Sequence, residues 1–308
     1  MKIHVVVNPA GASGRAWSLW KSLEPIFRES PHEIVLDCSS HDDRITDICK
    51  RITTTNEDTY LIIIGGDGTI NEAVNGIVNF EKTYFGFIPC GSGNDLGKDL
   101  QLPKDKTEIA KQLLKCEVKR ECDVGEVILY DDEKTFTRRF NISCGFGYDA
   151  EICAFVEASK LKKVLNKMRL GKLVYLFEGA KVIFSTQLTP MTLTYNNQTY
   201  HYEKCLFTVG MNHAYEGGGF KFCPDADAND RKLDICIAEK LSRLDFFMIF
   251  PYAYGGNHNR FEGIHLDRCE AITLEASRPL YVHTDGEVVG EFKKIEMHLL
   301  DDKLKLLL

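Results

Sequence analysis

Two hydrophobic patterns divide the chain. In the first part, unbroken apolar runs alternate with stretches of helical spacing. Residues 3–7, 60–64 and 84–88 are short and, apart from His4, free of strongly polar residues, the pattern of strands buried on both faces of a parallel sheet. Residues 33–37 add a fourth short strand. Between these lie helical stretches: one after Arg15, one over 43–53, one from Thr69 and one over 107–116. In the third of these, Ile70, Ala73, Val74 and Ile77 recur at helical intervals. Strands alternating with helices predict a parallel α/β sheet.

Near residue 125 the texture changes. Residues 125–130, 136–143, 191–195, 206–211, 233–238, 271–275, 280–283 and 294–299 read as short strands, and Asn196-Asn197-Gln198 as a hairpin turn. Many short strands with few helices predict a β-sandwich-like second domain. The expected division is an α/β domain over 1–125 and a β-rich domain over 126–290, with a final segment, about 291–308, returning to the first. One helical stretch, 150–184, carries Lys160, Lys162, Lys163, Lys167, Arg169 and Lys172 with no acid among them. Leu161, Val164, Leu165 and Met168 form an apolar stripe beside that charge. Two readings stay open: a basic amphipathic helix facing an anionic membrane, or an ordinary solvated helix.

Composition narrows the classes. The 308 residues are 44% hydrophobic and 27% charged, as in an ordinary globular protein long enough for two domains. A net charge of −7 gives no global attraction to nucleic acid, so a nucleic-acid partner is not expected. The eleven cysteines include no CxxC pair, which favours reduced thiols in a cytoplasmic protein. The nine histidines are dispersed, and His213, His258 and His283 lack the spacing of a metal set. No apolar run approaches the roughly twenty residues of a membrane span, so any membrane contact is expected to be peripheral. The oligomeric state is open between monomer and homodimer.

The chemistry concentrates in loops after strands. Leu61 to Ile64 runs into Gly65-Gly66-Asp67-Gly68 and then a helix. Free N–H groups and the helix dipole make such a turn a phosphate site, and one acid inside it suits Mg²⁺. The turn matches neither GxxxxGK[ST] nor GxGxxG. Two sister loops follow other strands: Asn8-Pro9-Ala10-Gly11-Ala12-Ser13-Gly14, and Pro89-Cys90-Gly91-Ser92-Gly93-Asn94-Asp95 with a helix from about Ser92. Three such loops belong at one edge of a parallel sheet, where ligands bind.

Gly65-Gly66-Asp67-Gly68-Thr69 with Asn71-Glu72 resembles the signature of the diacylglycerol kinase catalytic-domain family, shared more loosely with NAD kinases and phosphofructokinases. Asn8-Pro9 with Gly11 and Gly14 resembles that family's opening motif, and Gly91-Ser92-Gly93-Asn94-Asp95 its GTGND block. Asn141-Ile142-Ser143-Cys144-Gly145-Phe146-Gly147-Tyr148-Asp149-Ala150 resembles the central block. Asn212, Gly217-Gly218-Gly219, Pro224-Asp225-Ala226 and Asp285-Gly286-Glu287 follow in family order. The likeness runs from about residue 3 to 308 and is strongest to bacterial lipid kinases of the YegS/DgkB type. It implies a NAD-kinase/phosphofructokinase-like α/β domain, a β-sandwich domain and an active site between them. It further implies ATP and Mg²⁺ as cofactors and a membrane lipid as acceptor, diacylglycerol by default.

Carried over residue by residue, the resemblance assigns Asn8, Pro9, Gly11, Ser39, Gly65, Gly66, Asp67, Gly68, Thr69, Asn71, Glu72, Gly91, Ser92, Gly93, Asn94 and Asp95 to the nucleotide. Asp67 anchors the catalytic Mg²⁺, with Asp95 and Asp123 in a polar network behind it. Glu72 is equally readable as a helix-capping group. Asp285 and Glu287, on one side of an extended segment, supply the general base, and neither is ranked first. Asp227, Asp230 and the Lys232 carbonyl map to a structural Mg²⁺ site, although Arg231 replaces the family glycine there. An Asp-rich turn without metal is the alternative. The competing functions are a NAD kinase-like small-molecule kinase and a non-catalytic nucleotide or lipid sensor.

Overall fold

The computed structural model describes residues 1–131, 134–159 and 172–308. The chain divides into two compact units, Met1–Val124 with Asp301–Leu308, and Gly125–Leu300. The basic stretch over 160–171 lies outside the described residues.

In the first unit, β1 (Lys2–Val7), β2 (Glu33–Cys38), β3 (Thr59–Gly65) and β4 (Thr83–Pro89) pair in parallel in the order β2-β1-β3-β4. The returning residues Lys305 and Leu306 pair in parallel with Tyr84 and Phe85 at the β4 edge. Helices α1 (Arg15–Arg28), α2 (Ile45–Thr53), α3 (Asp67–Gly76), α4 (Asp95–Asp99) and α5 (Lys106–Leu113) complete the unit. Ile3, Val5, Val7, Ile62 and Ile64 pack with Trp20, Leu23 and Phe27 of α1 and Ile109 and Leu113 of α5. The intervening Val6, Leu61 and Ile63 are also fully buried, on the face that α2 and α3 cover. Burial on both faces is why these strands read as continuous apolar runs rather than alternating ones.

Two helix starts differ from the sequence expectation. Helix α3 begins at Asp67 rather than Thr69, so Gly68 is helical and the turn shrinks to Gly65-Gly66. Helix α4 begins at Asp95 rather than Ser92, because Asn94 at its N-cap is left-handed (φ 52°) and no helix passes through such a residue.

The second unit is antiparallel. Its strands are the 125–130 part of β5 (Val118–Tyr130), β6 (Thr135–Phe140), β7 (Ser143–Gly147), β8 (Thr189–Tyr195), β9 (Gln198–Met211), β10 (Leu233–Glu239), β11 (Ile264–Cys269), β12 (Ala271–Thr284) and β13 (Glu287–Leu307) to Leu300. The long strands β9 and β12 both pair with β8 through their N-terminal halves and with β7 through their C-terminal halves. Alternate residues of these strands, among them Phe146, Leu193, Ile235, Leu274, Val282 and Ile295, form one core. The expected strands at 271–275 and 280–283 are a single strand with an irregularity between Glu275 and Leu280. The expected hairpin turn is the two-residue Asn196-Asn197, both left-handed (φ 50° and 59°), between paired Tyr195 and Gln198. Helices α6 (Tyr148–Ala158), α7 (Lys172–Ser185) and α8 (Arg243–Tyr254) also belong to this unit. Among the described residues no helix is long and apolar enough to cross a membrane.

Candidate active site

In the first unit, parallel pairing sets the loops level. Val7 is in register with Cys38 and Ile64, and Gly65 with Pro89, so Asn8, Ser39, Gly66 and Cys90 leave the same sheet edge. Glycine is needed because two of these loops touch through their backbones. A Cβ on Gly91 would lie 2.9 Å from the Gly66 Cα, and one on Gly66 3.1 Å from the Gly91 Cα. Cys90 N donates to the Gly65 carbonyl at 2.8 Å, and Asn94 Nδ2 donates to the Gly91 carbonyl at 3.0 Å.

Asp67 stands in the first turn of α3, with its Oδ1 shut off from solvent. A Cβ on Gly93 would meet Asp67 Oδ2 at 2.9 Å and Asp95 Oδ2 at 3.2 Å. Two carboxylates therefore converge on the spot that a side chain at 93 would fill, an arrangement that calls for cations. Lys98 pairs with Asp95, and Lys303 with the fully buried Asp123 at 3.2 Å. Each of the two acids placed behind Asp67 thus has its own lysine.

The remaining assigned residues separate into two groups. Asn8 turns its Oδ1 to Ala10 N at 3.1 Å, and Gly11 N donates to the Asn8 carbonyl at 2.9 Å. Pro9, Gly11, Ser39, Gly68, Thr69 and Glu72 are half-buried, and Ser92 is exposed at the loop surface. Asn71, by contrast, is fully buried in α3 and accepts from Asn75 Nδ2 at 3.2 Å, so its side chain serves the helix packing.

Arg15 is a residue that the motifs did not single out. Its guanidinium donates to the Ala12 carbonyl at 2.9 Å and to Ser92 Oγ at 3.4 Å, linking the first loop to the third. One signal was available: a basic residue opening a helix runs against the helix dipole, which is tolerated where an anion is to be held. Lys106, whose pKa is lowered by burial, lies within electrostatic reach of Cys90 in the third loop.

In the second unit, Asp285 and Gly286 are the two left-handed residues (φ 52° and 82°) of a turn between paired Thr284 and Glu287. The segment is therefore a tight hairpin rather than an extended strand, and the two acids do not flank a glycine on one side. The Asp285 carboxylate accepts from Asn141 N, Asn141 Nδ2, Ile142 N and Ser143 N at 2.7–3.2 Å. Four donors converge on it, which makes it the anchor of the turn. Glu287 is exposed. The Asn141–Ser143 motif supplies these donors, while Asn212 Nδ2 donates to the Asn141 carbonyl at 2.9 Å and Asn212 N to the Ile142 carbonyl at 2.7 Å.

Behind the turn lies a buried cluster with no precedent in the motif assignments. His283 Nε2 is 3.0 Å from Asp149 Oδ2 and 3.2 Å from Glu216 Oε1, and Ser143 Oγ donates to Glu216 Oε1 at 2.6 Å. Gly286 N lies 3.1 Å from His283 Nδ1, placing the cluster directly against the turn. Gly145 is required here, since a Cβ would collide with the Asp149 carboxylate and the His283 ring. Burial pushes Glu216 up to about 7, against the pull of His283. Burial also works against a charged His283, but Glu216 and Asp149 outweigh it and raise the ring to about 9. The cluster thus retains a proton through neutral pH.

In the Asp-rich loop two of the assigned carboxylates accept from backbone N–H groups. Asp227 Oδ1 accepts from Asn229 N at 3.1 Å, and Asp230 Oδ1 from Lys232 N at 3.0 Å. The Arg268 guanidinium lies 3.3 Å from Asp230 Oδ2, donates to Asp234 Oδ1 at 2.8 Å and donates to the Asp225 carbonyl at 2.8 Å. Arg268 thereby cross-links the loop that also carries Asp227 and Lys232, the positions the resemblance assigns with Asp230 to a structural Mg²⁺. Arg231 does adopt the left-handed conformation (φ 63°) that the family glycine would take, and its Nη1 donates to the Leu300 carbonyl at 2.6 Å. Among the described residues no group of three or more His, Cys, Asp or Glu is placed to hold a metal.

Residues 2–127 match the model of the diacylglycerol kinase catalytic domain, and residues 143–307 that of the YegS C-terminal NAD kinase beta sandwich-like domain. A Bacillus subtilis (strain 168) protein bearing the provisional name lipid kinase YtlR is 28% identical over 92% of this chain and 93% of its own. The diacylglycerol kinase of the same strain is 28% identical over 78% of this chain and 76% of its own. The fold resembles the crystal structure of a diacylglycerol kinase from Bacillus anthracis str. Sterne, with a TM-score of 0.69 at 20% identity over 99% of this chain and 96% of that one.

Proposed function

The chain belongs to the diacylglycerol kinase family, and on that premise we propose that this lipid kinase transfers the γ-phosphoryl group of ATP to the hydroxyl of a membrane lipid, with diacylglycerol as acceptor and phosphatidic acid as product. The observation that carries this reading is the convergence of Asp67 and Asp95 beside Gly93, at the edge where three strand-end loops leave one sheet. Phosphoryl transfer asks a protein mainly to position phosphates and to neutralise charge. The N–H groups opening α3 would bind phosphate oxygens, and Arg15 would add a positive charge between the first and third loops.

The residues around Gly93 fit Mg²⁺. Asp67 would hold it, and the ion would neutralise phosphate charge when bound. Glu287 takes the role of general base for the acceptor hydroxyl, and Asp285 that of its anchor. The reason is that the Asp285 oxygens are already engaged by four N–H donors, whereas Glu287 is exposed at the first position after the turn. Contact with the bilayer is peripheral.

The test is transfer of radiolabelled γ-phosphate from ATP or GTP to a panel of lipids, with NAD as a competing acceptor. Labelled lipid is the expected product. Labelled NADP with no labelled lipid would overturn the assignment, and nucleotide binding without transfer to any acceptor would favour a sensor.

A further inference from the structure

Helix α8 is stable at its start for a local reason. Ser242 and Asp245 form a reciprocal capping box, with Ser242 N donating to Asp245 Oδ2 at 2.8 Å and Asp245 N to Ser242 Oγ at 3.2 Å. Beyond this cap the helix, Arg243-Leu-Asp-Phe-Phe-Met-Ile-Phe-Pro-Tyr-Ala-Tyr254, is apolar all round. A helix of that kind is normally enclosed. Here Ile249 and Ala253 are buried and Phe250 packs on Phe220 at 4.6 Å, but the other face meets solvent. Leu244 is 69% exposed, Phe247 41%, Met248 50% and Tyr252 42%. With the exposed Pro251 these occupy i, i+3, i+4, i+7 and i+8, one continuous outward stripe. Phe184 of α7, 57% exposed, extends it by packing on Phe247 at 6.2 Å. Contiguous exposed apolar surface of this kind marks a docking site.

The charges around the stripe select its occupant. The Arg243 guanidinium lies 5.5 Å from the Phe184 ring and donates to the Phe184 carbonyl at 2.7 Å, and Arg260 lies 4.8 Å from the Tyr252 ring. Lys181 and Lys240 are exposed on the flanking segments. The acid within the helix, Asp245, is committed to the cap, which lowers its pKa. An apolar stripe rimmed by cations matches an anionic lipid surface.

We propose that the outward face of α8, with Phe184, seats this protein on an anionic bilayer: Leu244, Phe247, Met248 and Tyr252 enter the acyl boundary while Arg243 and Arg260 reach the lipid phosphates. The choice of a bilayer rests on the lipid-kinase reading, but the binding measurement needs no turnover. The test is co-sedimentation with vesicles of phosphatidylcholine, with and without phosphatidylglycerol, for the full chain and for the triple variant L244S/F247S/M248S. Removing exposed apolar groups spares the core, and an unchanged melting temperature verifies this.

The expected result is binding that needs phosphatidylglycerol, weakens with salt and falls about tenfold or more in the triple variant, with R243Q/R260Q losing mainly the anionic-lipid dependence. Both variants should phosphorylate a short-chain diacylglycerol in detergent as the unaltered chain does. Vesicle binding unchanged in the triple variant overturns the proposal. So does a dimer in analytical ultracentrifugation that the triple variant abolishes while vesicle binding persists, for the face would then belong to a second copy. Loss of vesicle binding in the variant, with neither protein phosphorylating the soluble lipid, supports the docking face and overturns the kinase reading instead.

Discussion

Asp67-Gly68 and Asp285-Gly286 are the same dipeptide, and each follows a buried strand, yet the two have opposite fates. Asp67 opens a helix, beside a glycine whose missing side chain leaves space for its carboxylate. Asp285 sits in a left-handed turn and commits its carboxylate to four N–H donors from the 141–143 segment. The first lies next to a second carboxylate, Asp95, at the edge where the strand-end loops leave the sheet. The second uses a charge to hold a neighbouring acid in place. The surroundings that the tertiary structure brings to each aspartate set the two apart.

Paired substitutions break this contrast most directly. D67N and E287Q should each reduce turnover by about 10²–10³-fold while the melting temperature stays constant, measured by lipid phosphorylation and calorimetry. D285A should lose activity and also stability, by about 3 kcal/mol, because it strands several N–H groups. A D285A protein that is inactive but melts normally would transfer the base role back to Asp285.

G91A tests the backbone contact between two loops. Its new Cβ would lie 2.9 Å from the Gly66 Cα, with no flexible side chain to yield. The expected cost is about 1–3 kcal/mol, with a raised KM for the nucleotide.

The cluster behind the turn should give the second unit a pH signature. Glu216 is raised from 4.5 to about 7 and His283 from 6.5 to about 9, so the folded state holds protons that the unfolded chain releases. Stability from these groups is therefore complete at low pH and is lost as pH climbs, first toward about 7 and then toward about 9. Thermal melts across that range should show the decline, and E216Q should flatten its lower part.

The smallest effect concerns Arg268. Adding a chelator should leave the melting temperature unchanged, whereas R268A should lower stability by about 1 kcal/mol, kept modest by the exposure of the arginine. A chelator-sensitive melt would restore a metal to that loop.

The glycine loops were legible because they rest on local rules. An aliphatic run buried on both faces has a single period, and the glycines after it mark backbone that must turn sharply or approach closely. The type of each domain followed for the same reason, as did the Asn196-Asn197 turn. Helix starts were less legible: Asn94 ends the loop through a left-handed backbone that nothing in Gly91-Ser92-Gly93 announces.

Pairings between distant residues were not legible at all. Arg15 with Ser92, Lys303 with Asp123, Glu216 with His283 and Arg268 with Asp230 join residues far apart in the chain, and no periodicity encodes such a partner. Sequence alone determined that this chain builds a parallel sheet with glycine-rich loops at one edge, because strand burial and glycine placement act over a few neighbouring residues. Tertiary structure alone decided which partners a carboxylate meets, because hydrogen-bond donors and counter-ions reach it across the fold.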